Sequence, residues 1–223
     1  MHALASNYTS YNWDFEGAKQ SRDWQAINGN WNIQDGAYQQ ESLNEEAAHT
    51  LVGSSYWDNY TVEAKIRLDE GSWAGLVFRA SSEYEYYVFY LSVADNKTEF
   101  WRHKKGDDFT ARDALKNYIP PTGITINHEE WYQIRIDVND DDFTLYINDI
   151  KQGVFQDLDR KYGNGGVGLW TWKTKASFDD VIVSVASGIK TDQISWAKTN
   201  TFEKWDFEGA KIFLKKVVYL KED

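Results

Sequence analysis

Aromatic side chains stand beside charged ones at two places where this sequence predicts strands. Trp170 and Trp172 are two residues apart, and Trp101 is two residues from both Glu99 and His103. An indole stacks on the apolar face of a sugar ring, while neighbouring polar side chains bind the sugar hydroxyl groups. These residue types therefore predict a sugar-binding surface. Its candidate residues are Arg79, Tyr86, Glu99, Trp101, His103, Trp170 and Trp172.

A buried core is the second interpretation of the same aromatic residues. The chain has 11 Trp, 14 Tyr and 11 Phe, and most of these large rings must pack inside the protein. Trp73 and Tyr90 belong to the same aromatic set. The sequence leaves open which of these rings line a site and which fill the core.

Several other chemistries have no motif in this chain. There is no cysteine, which excludes disulfides, a cysteine nucleophile and thiolate metal sites. The sequence contains neither a G-x-S-x-G elbow nor a phosphate-binding loop of the form G-x-x-x-x-G-K-[ST]. Its four histidines lack the spacing of a zinc site. Glu83 and Glu85 alternate as paired catalytic carboxylates would, but they fall in a predicted hairpin loop.

The strand that carries the two adjacent indoles has two chemically different faces. Val167 and Leu169 share one face, while Trp170 and Trp172 share the other. The aliphatic pair is expected to face the core. The two indoles then face either a second layer of the protein or a ligand.

Similar alternation recurs along the chain and predicts the fold class. In residues 74–80, Leu76 and Phe78 share one face and Arg79 lies on the other. The predicted strands span residues 13–17, 31–34, 37–39, 48–52, 60–68, 74–80, 86–93, 99–104, 131–138, 143–147, 167–172 and 178–185. About a dozen short strands without a helical period predict an all-β, two-sheet antiparallel β-sandwich or jelly roll.

Composition and charge limit the class of partner. The formal net charge of −11 argues against nucleic acid or an anionic membrane surface, and it fits neutral ligands or cations. No segment is apolar over the length needed to span a bilayer. The N-terminus lacks the basic region and apolar run of a signal peptide, so an export signal would lie on a longer precursor.

One heptapeptide occurs twice. Residues 13–19, WDFEGAK, recur letter for letter as residues 205–211. We therefore expect residues 1–189 to form one β-sandwich domain, followed in residues 190–223 by a linker and the first strand of a following repeat. The alternative is that this tail adds a strand to the same domain.

The order of the strand motifs resembles the concanavalin A-like lectin/glucanase superfamily. The motifs are WNIQDGAY (31–38), YTVEAKIRL (60–68), AGLVFRA (74–80), YYVFYL (86–91), EWYQIRIDV (130–138), LYIND (145–149), GGVGLWT (165–171) and FDDVIV (178–183). Within the superfamily, the chain is most similar to laminin-G-like and levan-binding-type carbohydrate-binding modules and to the related 3-keto-disaccharide hydrolase domains. The resemblance implies two stacked antiparallel sheets, often extracellular and frequently appended to glycoside hydrolases.

The same resemblance implies one structural calcium ion, held where an early strand lies beside the last one. Calcium takes several oxygen ligands from carboxylates and carbonyl groups. The candidate ligands are Asp14, Glu16, Asp179 and Asp180. The alternative is that these carboxylates are solvated surface acids, paired with lysines.

Together these observations predict a non-catalytic carbohydrate-binding module of a larger bacterial protein, secreted or at the cell surface, whose partner is a glycan or polysaccharide. Nucleic-acid binding and membrane insertion are not expected. The first alternative is a glycoside hydrolase-type domain, although the E-x-D-x-x-E pattern of the superfamily's family 16 glucanases is absent. The second is a laminin-G-like adhesion domain that binds another protein.

Overall fold

Two antiparallel β-sheets make up the described part of the chain. A computed structural model describes residues 8–17 and 19–186, which form fifteen strands and one 3₁₀ turn at Gln20–Asp23. No helix in these residues is both long and apolar enough to cross a membrane. The predicted linker and the second copy of the heptapeptide lie outside the described residues. The prediction of an all-β sandwich is confirmed.

The strand bounds follow the chain in order. The strands are β1 Tyr8–Trp13, β2 Gln25–Asn28, β3 Trp31–Gln34, β4 Ala37–Gln40, β5 Ala48–Val52, β6 Tyr60–Glu70, β7 Trp73–Ala80, β8 Tyr86–Ser92, β9 Lys97–His103, β10 Arg112–Ile119, β11 Trp131–Asn139, β12 Asp142–Ile147, β13 Ile150–Phe155, β14 Gly166–Trp172 and β15 Lys175–Ala186. The eight-stranded sheet has the order β13-β12-β11-β6-β15-β4-β3, with β1 also paired to β15. The seven-stranded sheet has the order β10-β9-β8-β7-β14-β5-β2.

Side chains from both sheets meet in one core between them. On β6, Val62, Ala64 and Ile66 point inward and are buried, in the two-residue alternation of a strand. Phe78 of the seven-stranded sheet packs edge-on against Phe143 of the other, with ring centroids 5.0 Å apart. Burial of these apolar side chains is the main force that holds the two sheets together.

The first strand lies earlier than the sequence predicted. Tyr8–Trp13 pairs with the end of β15, whereas residues 14–17 lie outside any strand. The cause is Phe15, whose φ of 51° breaks the extended chain. Its ring is buried against Trp24 and Tyr38, so the first copy of the heptapeptide is anchored in the core.

Three strands that the sequence did not indicate, β2, β10 and β13, lie at sheet edges. Each has a single partner strand, and each pairing contains a register shift. Such irregular edges lack the regular alternation that identifies a central strand.

A buried ion pair holds the connection between β13 and β14. Arg102 donates to both carboxylate oxygens of Asp157 at 2.9 and 2.8 Å, and the Tyr87 hydroxyl donates to the same carboxylate at 2.6 Å. Burial acts to raise the pKa of Asp157, but the hydrogen bonds from Tyr87 and Arg102 outweigh it, and the pKa is lowered. The Arg102 side chain therefore stabilises the interior of the sandwich, on the strand face opposite Trp101.

Candidate functional site

The outer face of the seven-stranded sheet carries its own apolar cluster, separate from the core between the sheets. Its buried members are Ala47, Leu51, Val77, Ala80, Tyr86, Val88, Tyr90 and Trp170. Val167 and Leu169 belong instead to the inter-sheet core. The predicted division of this strand into an aliphatic face and an indole face is confirmed.

A cleft of about 160 Å³ opens on this outer face. The residues that line it are Trp73, Tyr90, Glu99, Trp101, Arg112, Trp170 and Trp172. Four of the predicted ligand-binding residues are therefore brought together here: Glu99, Trp101, Trp170 and Trp172. The volume is below the roughly 300–1,000 Å³ of pockets for drug-sized ligands, so the cleft suits a single ring or the end of a chain.

Tyr90 and Trp170 form the floor of the cleft. Their ring centroids are 4.8 Å apart and their planes differ by 8°. Gly75 pairs with Tyr90 on one side and with Trp170 on the other, so no side chain separates the rings. A Cβ atom at Gly75 would lie 2.1 Å from the carbonyl oxygen of Phe89, which explains the glycine. Trp170 is only 1% exposed, and its indole is a buried support for the cleft.

Trp101 and Trp172 are partly buried walls, and Arg112 lies between them. The guanidinium carbon is 4.9 Å from the centroid of Trp101 and 4.3 Å from that of Trp172. Trp172 also stacks on Trp170 at 6.3 Å, and Trp101 stacks on Tyr90 at 6.4 Å. The four rings thus form a continuous aromatic surface. Attraction between the guanidinium and the two indole faces holds Arg112 in place.

Glu99 is the one carboxylate among the residues that line the cleft. One of its oxygens pairs with Lys97 at 2.8 Å, and the other accepts a hydrogen bond from the Trp101 indole nitrogen at 2.6 Å. Burial raises the pKa of Tyr90, and the nearby Glu99 carboxylate raises it further. Glu99 therefore orients the Trp101 indole, and Tyr90 keeps its phenolic proton.

Tyr86 and His103 lie on the outer face but are buried there, so the prediction that they contact a ligand requires correction. Both are fully buried, and their rings stack with centroids 4.5 Å apart. Neither side chain lines the cleft. The His103 ring packs edge-on against Trp170 at 5.6 Å. Burial lowers the pKa of His103 to about 3, so the ring is neutral at physiological pH. The two residues support the floor.

Arg79 also lies elsewhere than predicted. Its φ of 49° and the register shift between β7 and β14 turn its side chain away from the outer face. The guanidinium donates to the carbonyl oxygens of Asp58 at 3.1 Å and Tyr162 at 3.2 Å, and also to that of Asp140. It lies 5.2 Å from the Phe143 ring, a member of the inter-sheet core. Arg79 therefore ties three loops together and does not line the cleft.

The four carboxylates predicted to bind calcium are Asp14, Glu16, Asp179 and Asp180. Within residues 8–17 and 19–186, no group of three or more His, Cys, Asp or Glu is placed to hold a metal ion. Asp180 pairs with Lys65 at 2.6 Å, and Asp14 accepts a hydrogen bond from Gln20. The lysine-paired alternative thus describes Asp180. Calcium binding stays a prediction.

The cleft lacks the pair of carboxyl groups that most glycoside hydrolases use. Those enzymes hold two carboxyl groups roughly 5–10 Å apart around the scissile bond. Glu99 has no second carboxylate beside it in the lining, and its oxygens already bind Lys97 and Trp101. The cleft offers a stacking surface with a guanidinium and a carboxylate at its edge, which suits recognition of a ring.

Arg112 is the cleft residue that the sequence did not indicate. It begins the edge strand β10, where the register shifts between Ala114 and Lys116 and alternation is lost. In that strand pairing Arg112 stands opposite His103, and this cross-strand neighbour brings it to the aromatic face. No motif in the sequence carries this information.

The comparisons with known proteins agree with the architecture. A family model described as the 3-keto-alpha-glucoside-1,2-lyase-like domain matches residues 12–184. No curated protein sequence matches the chain.

Three solved structures illustrate the likeness in fold. Carbohydrate-binding module CBM66 from Bacillus subtilis has a TM-score of 0.60 at 20% identity, and the match covers 71% of this chain and 93% of that one. An endo-1,3-beta-glucanase (laminarinase) catalytic domain from Thermotoga petrophila has a TM-score of 0.55 at 11% identity, covering 82% and 100%. A putative glycosyl hydrolase from Parabacteroides distasonis has a TM-score of 0.52 at 14% identity, covering 74% and 89%. These likenesses show a shared β-sandwich fold.

Proposed function

The chain belongs to the family of 3-keto-alpha-glucoside-1,2-lyase-like domains, and on that premise we propose that it binds carbohydrate in the aromatic cleft. The observation that carries the proposal is the pair of partly buried indoles, Trp101 and Trp172, which stand on a buried floor of Tyr90 and Trp170 with Glu99 and Arg112 in the same lining. Stacking of an apolar sugar face on such rings contributes on the order of 1 kcal/mol beyond the area buried. The Arg112 guanidinium then donates hydrogen bonds to oxygen atoms of the same ring.

The proposed role is binding without catalysis, as a module of a larger protein outside the cell. Support for binding comes from the single carboxylate in the lining and from the fold shared with a structure named as a carbohydrate-binding module. Binding through a shallow, ring-sized cleft would hold the chain on its polysaccharide while a neighbouring domain acts.

A glycan screen with three proteins tests the proposal. The wild type, Trp172→Ala and Trp131→Ala are applied to an array of oligosaccharides and to affinity gels that contain polysaccharides. Trp131 is the matched control because it is 39% exposed and lies on β11 of the opposite sheet. We expect Trp172→Ala to weaken binding by about tenfold or more and Trp131→Ala to leave it unchanged. Equal loss in both variants, or binding by none of the three proteins, would contradict the proposal.

An enzyme is the second candidate function, because the family description itself names a lyase acting on 3-keto-alpha-glucosides. Wild-type protein is incubated with 3-keto-alpha-glucosides, and with polysaccharides that bind in the screen, and products are followed by chromatography. Product release that is abolished by Glu99→Gln would favour the enzyme. Binding without release of any product would favour the non-catalytic module.

A further inference from the structure

The guanidinium of Arg112 has few polar partners among the described residues. The guanidinium forms one hydrogen bond with the described residues, in which Nη1 donates to the carbonyl oxygen of Thr110 at 3.1 Å. No carboxylate of residues 8–17 and 19–186 forms a salt bridge with it, although Arg102 on the neighbouring strand has three such partners. The Arg112 Nε atom is buried without any hydrogen-bond partner. A guanidinium that is partly withdrawn from water in this way favours a ligand with a negative charge.

The carboxylate of Glu99 is not the ion-pair partner of Arg112. Its carboxylate is buried, pairs with Lys97 at 2.8 Å and accepts the hydrogen bond of Trp101. Glu99 therefore forms its ion pair with Lys97, which also pairs with Asp95 at 2.9 Å, whereas the guanidinium of Arg112 forms no ion pair with the described residues and lines the cleft.

The two indoles restrict the position of the guanidinium. With its carbon 4.9 and 4.3 Å from the ring centroids of Trp101 and Trp172, the group is held between two flat surfaces. A planar guanidinium held in one orientation matches a carboxylate better than a flexible ammonium does. A sugar ring that stacks on either indole would bring a substituent within reach of it.

From this arrangement we propose that the ligand is an acidic sugar, a uronic acid residue whose carboxylate binds Arg112. The proposal rests on the proposed carbohydrate-binding function and specifies its ligand class. The sugar ring packs against the parts of Trp101 and Trp172 that the guanidinium leaves uncovered, and its carboxylate supplies Arg112 with an ion-pair partner.

The net charge of the chain does not oppose such a ligand at contact distance. The −11 formal charge repels anions at long range, but salt screens these interactions beyond about 8 Å at physiological ionic strength. The contact between a carboxylate and Arg112 is shorter than that length. The overall charge lowers the rate of encounter, while the local guanidinium determines the affinity.

The test compares an acidic oligosaccharide with its uncharged ester. Trimers of galacturonate, glucuronate and mannuronate, and the same trimers with their carboxylates methyl-esterified, are titrated against the full chain and followed by calorimetry and tryptophan fluorescence. We expect at least one acidic trimer to bind about tenfold or more tightly than its ester. Its affinity should also fall as salt is added.

Two substitutions assign that preference to Arg112. In Arg112→Gln the acidic trimer and its ester should bind equally, while Arg112→Lys should keep part of the preference because it keeps the charge. Thermal melting of each variant separates loss of binding from loss of folding, and a preference that survives unchanged in a folded Arg112→Gln protein would overturn the proposal. Esters or neutral sugars that bind the wild type as well as the acidic trimers would overturn the uronate inference and leave carbohydrate binding intact. Failure of every sugar to bind would overturn both.

Discussion

Trp170→Ala and Trp172→Ala are expected to fail in different ways, although the two indoles are two residues apart on one strand. Trp170 is 1% exposed and stacks on Tyr90 at 4.8 Å, so its removal leaves a cavity under the cleft. Truncation of a buried aromatic residue costs about 3–5 kcal/mol. For a domain of this size, such a loss lowers the melting temperature by about 6–20 °C.

Trp172 is a partly buried wall of the cleft, and the described partners of its ring are Trp170 and Arg112. Its truncation removes one stacking contact and one guanidinium contact, which costs about 1–2 kcal/mol of stability. Binding should nevertheless weaken by about tenfold or more, because the ligand loses its stacking partner. Trp172→Ala is therefore expected to lose affinity while it stays folded.

Equilibrium unfolding in denaturant and titration with a bound oligosaccharide measure the two effects separately. Trp131→Ala serves as the control for both, because that indole is 39% exposed and its described ring contact is with Arg67. If Trp170→Ala unfolds at the same denaturant concentration as the wild type, the Trp170 indole is not a buried support. If Trp172→Ala destabilises the protein as much as Trp170→Ala does, Trp172 is part of the packed interior and not a wall of the cleft.

Four further predictions concern stability. Asp157→Asn should lower the free energy of unfolding by about 3 kcal/mol at pH 7. Because the pKa of Asp157 is lowered in the folded state, the greater stability of the wild type should disappear as the pH falls below about 4. A stability difference between the two proteins that is equal at pH 7 and pH 2.5 in denaturant unfolding would contradict this. Burial lowers the pKa of His49 from 6.5 to about 4, so the neutral ring contributes fully to stability above pH 6.5, and this contribution is lost as the pH falls to about 4. The unfolding free energy of His49→Gln should therefore depend less on pH between 6.5 and 4 than that of the wild type. The same pH dependence in both proteins would contradict this role of His49. Deletion of residues 191–223 should leave the melting temperature unchanged if a following repeat begins there, whereas unfolding or aggregation would assign the tail to this domain. The calcium hypothesis predicts that a chelator lowers the melting temperature and that Asp179→Asn abolishes this response, so a melting curve indifferent to chelator and to added calcium would reject it.

The central strands could be predicted from the sequence because their two faces differ in chemistry. The alternation on β6 and the separation of Val167 and Leu169 from Trp170 follow directly from the two-residue period of a strand. The edge strand β10 could not be predicted in this way, since it has one partner strand and register shifts. Arg112 went unrecognised for the same reason.

The candidate site was predictable in its aromatic residues and less so in its polar ones. A strand period assigns a face, but it does not show which side chains of that face are covered. Tyr86 and His103 lie on the predicted face, but both are fully buried there and do not line the cleft. Arg79 departs from its expected face because of a positive φ of 49°, which no residue-type pattern indicates for an arginine. Backbone irregularities of this kind depend on tertiary contacts far along the chain.

The position of the cleft follows from how the loops cover the outer face. Loops 81–85 and 104–111 close over one end of this face: Tyr84 stacks on Phe109 at 4.8 Å, and the His49 Nε2 atom lies 2.8 Å from the carbonyl oxygen of Glu83. At the other end Trp101 and Trp172 stay partly exposed, although a larger loop would have buried them. The partly exposed indoles lie beside a guanidinium that forms no ion pair with the described residues, and such a surface is a candidate binding site. The covered end is therefore part of the packed interior, and the open end holds the cleft at which we propose that the ligand binds.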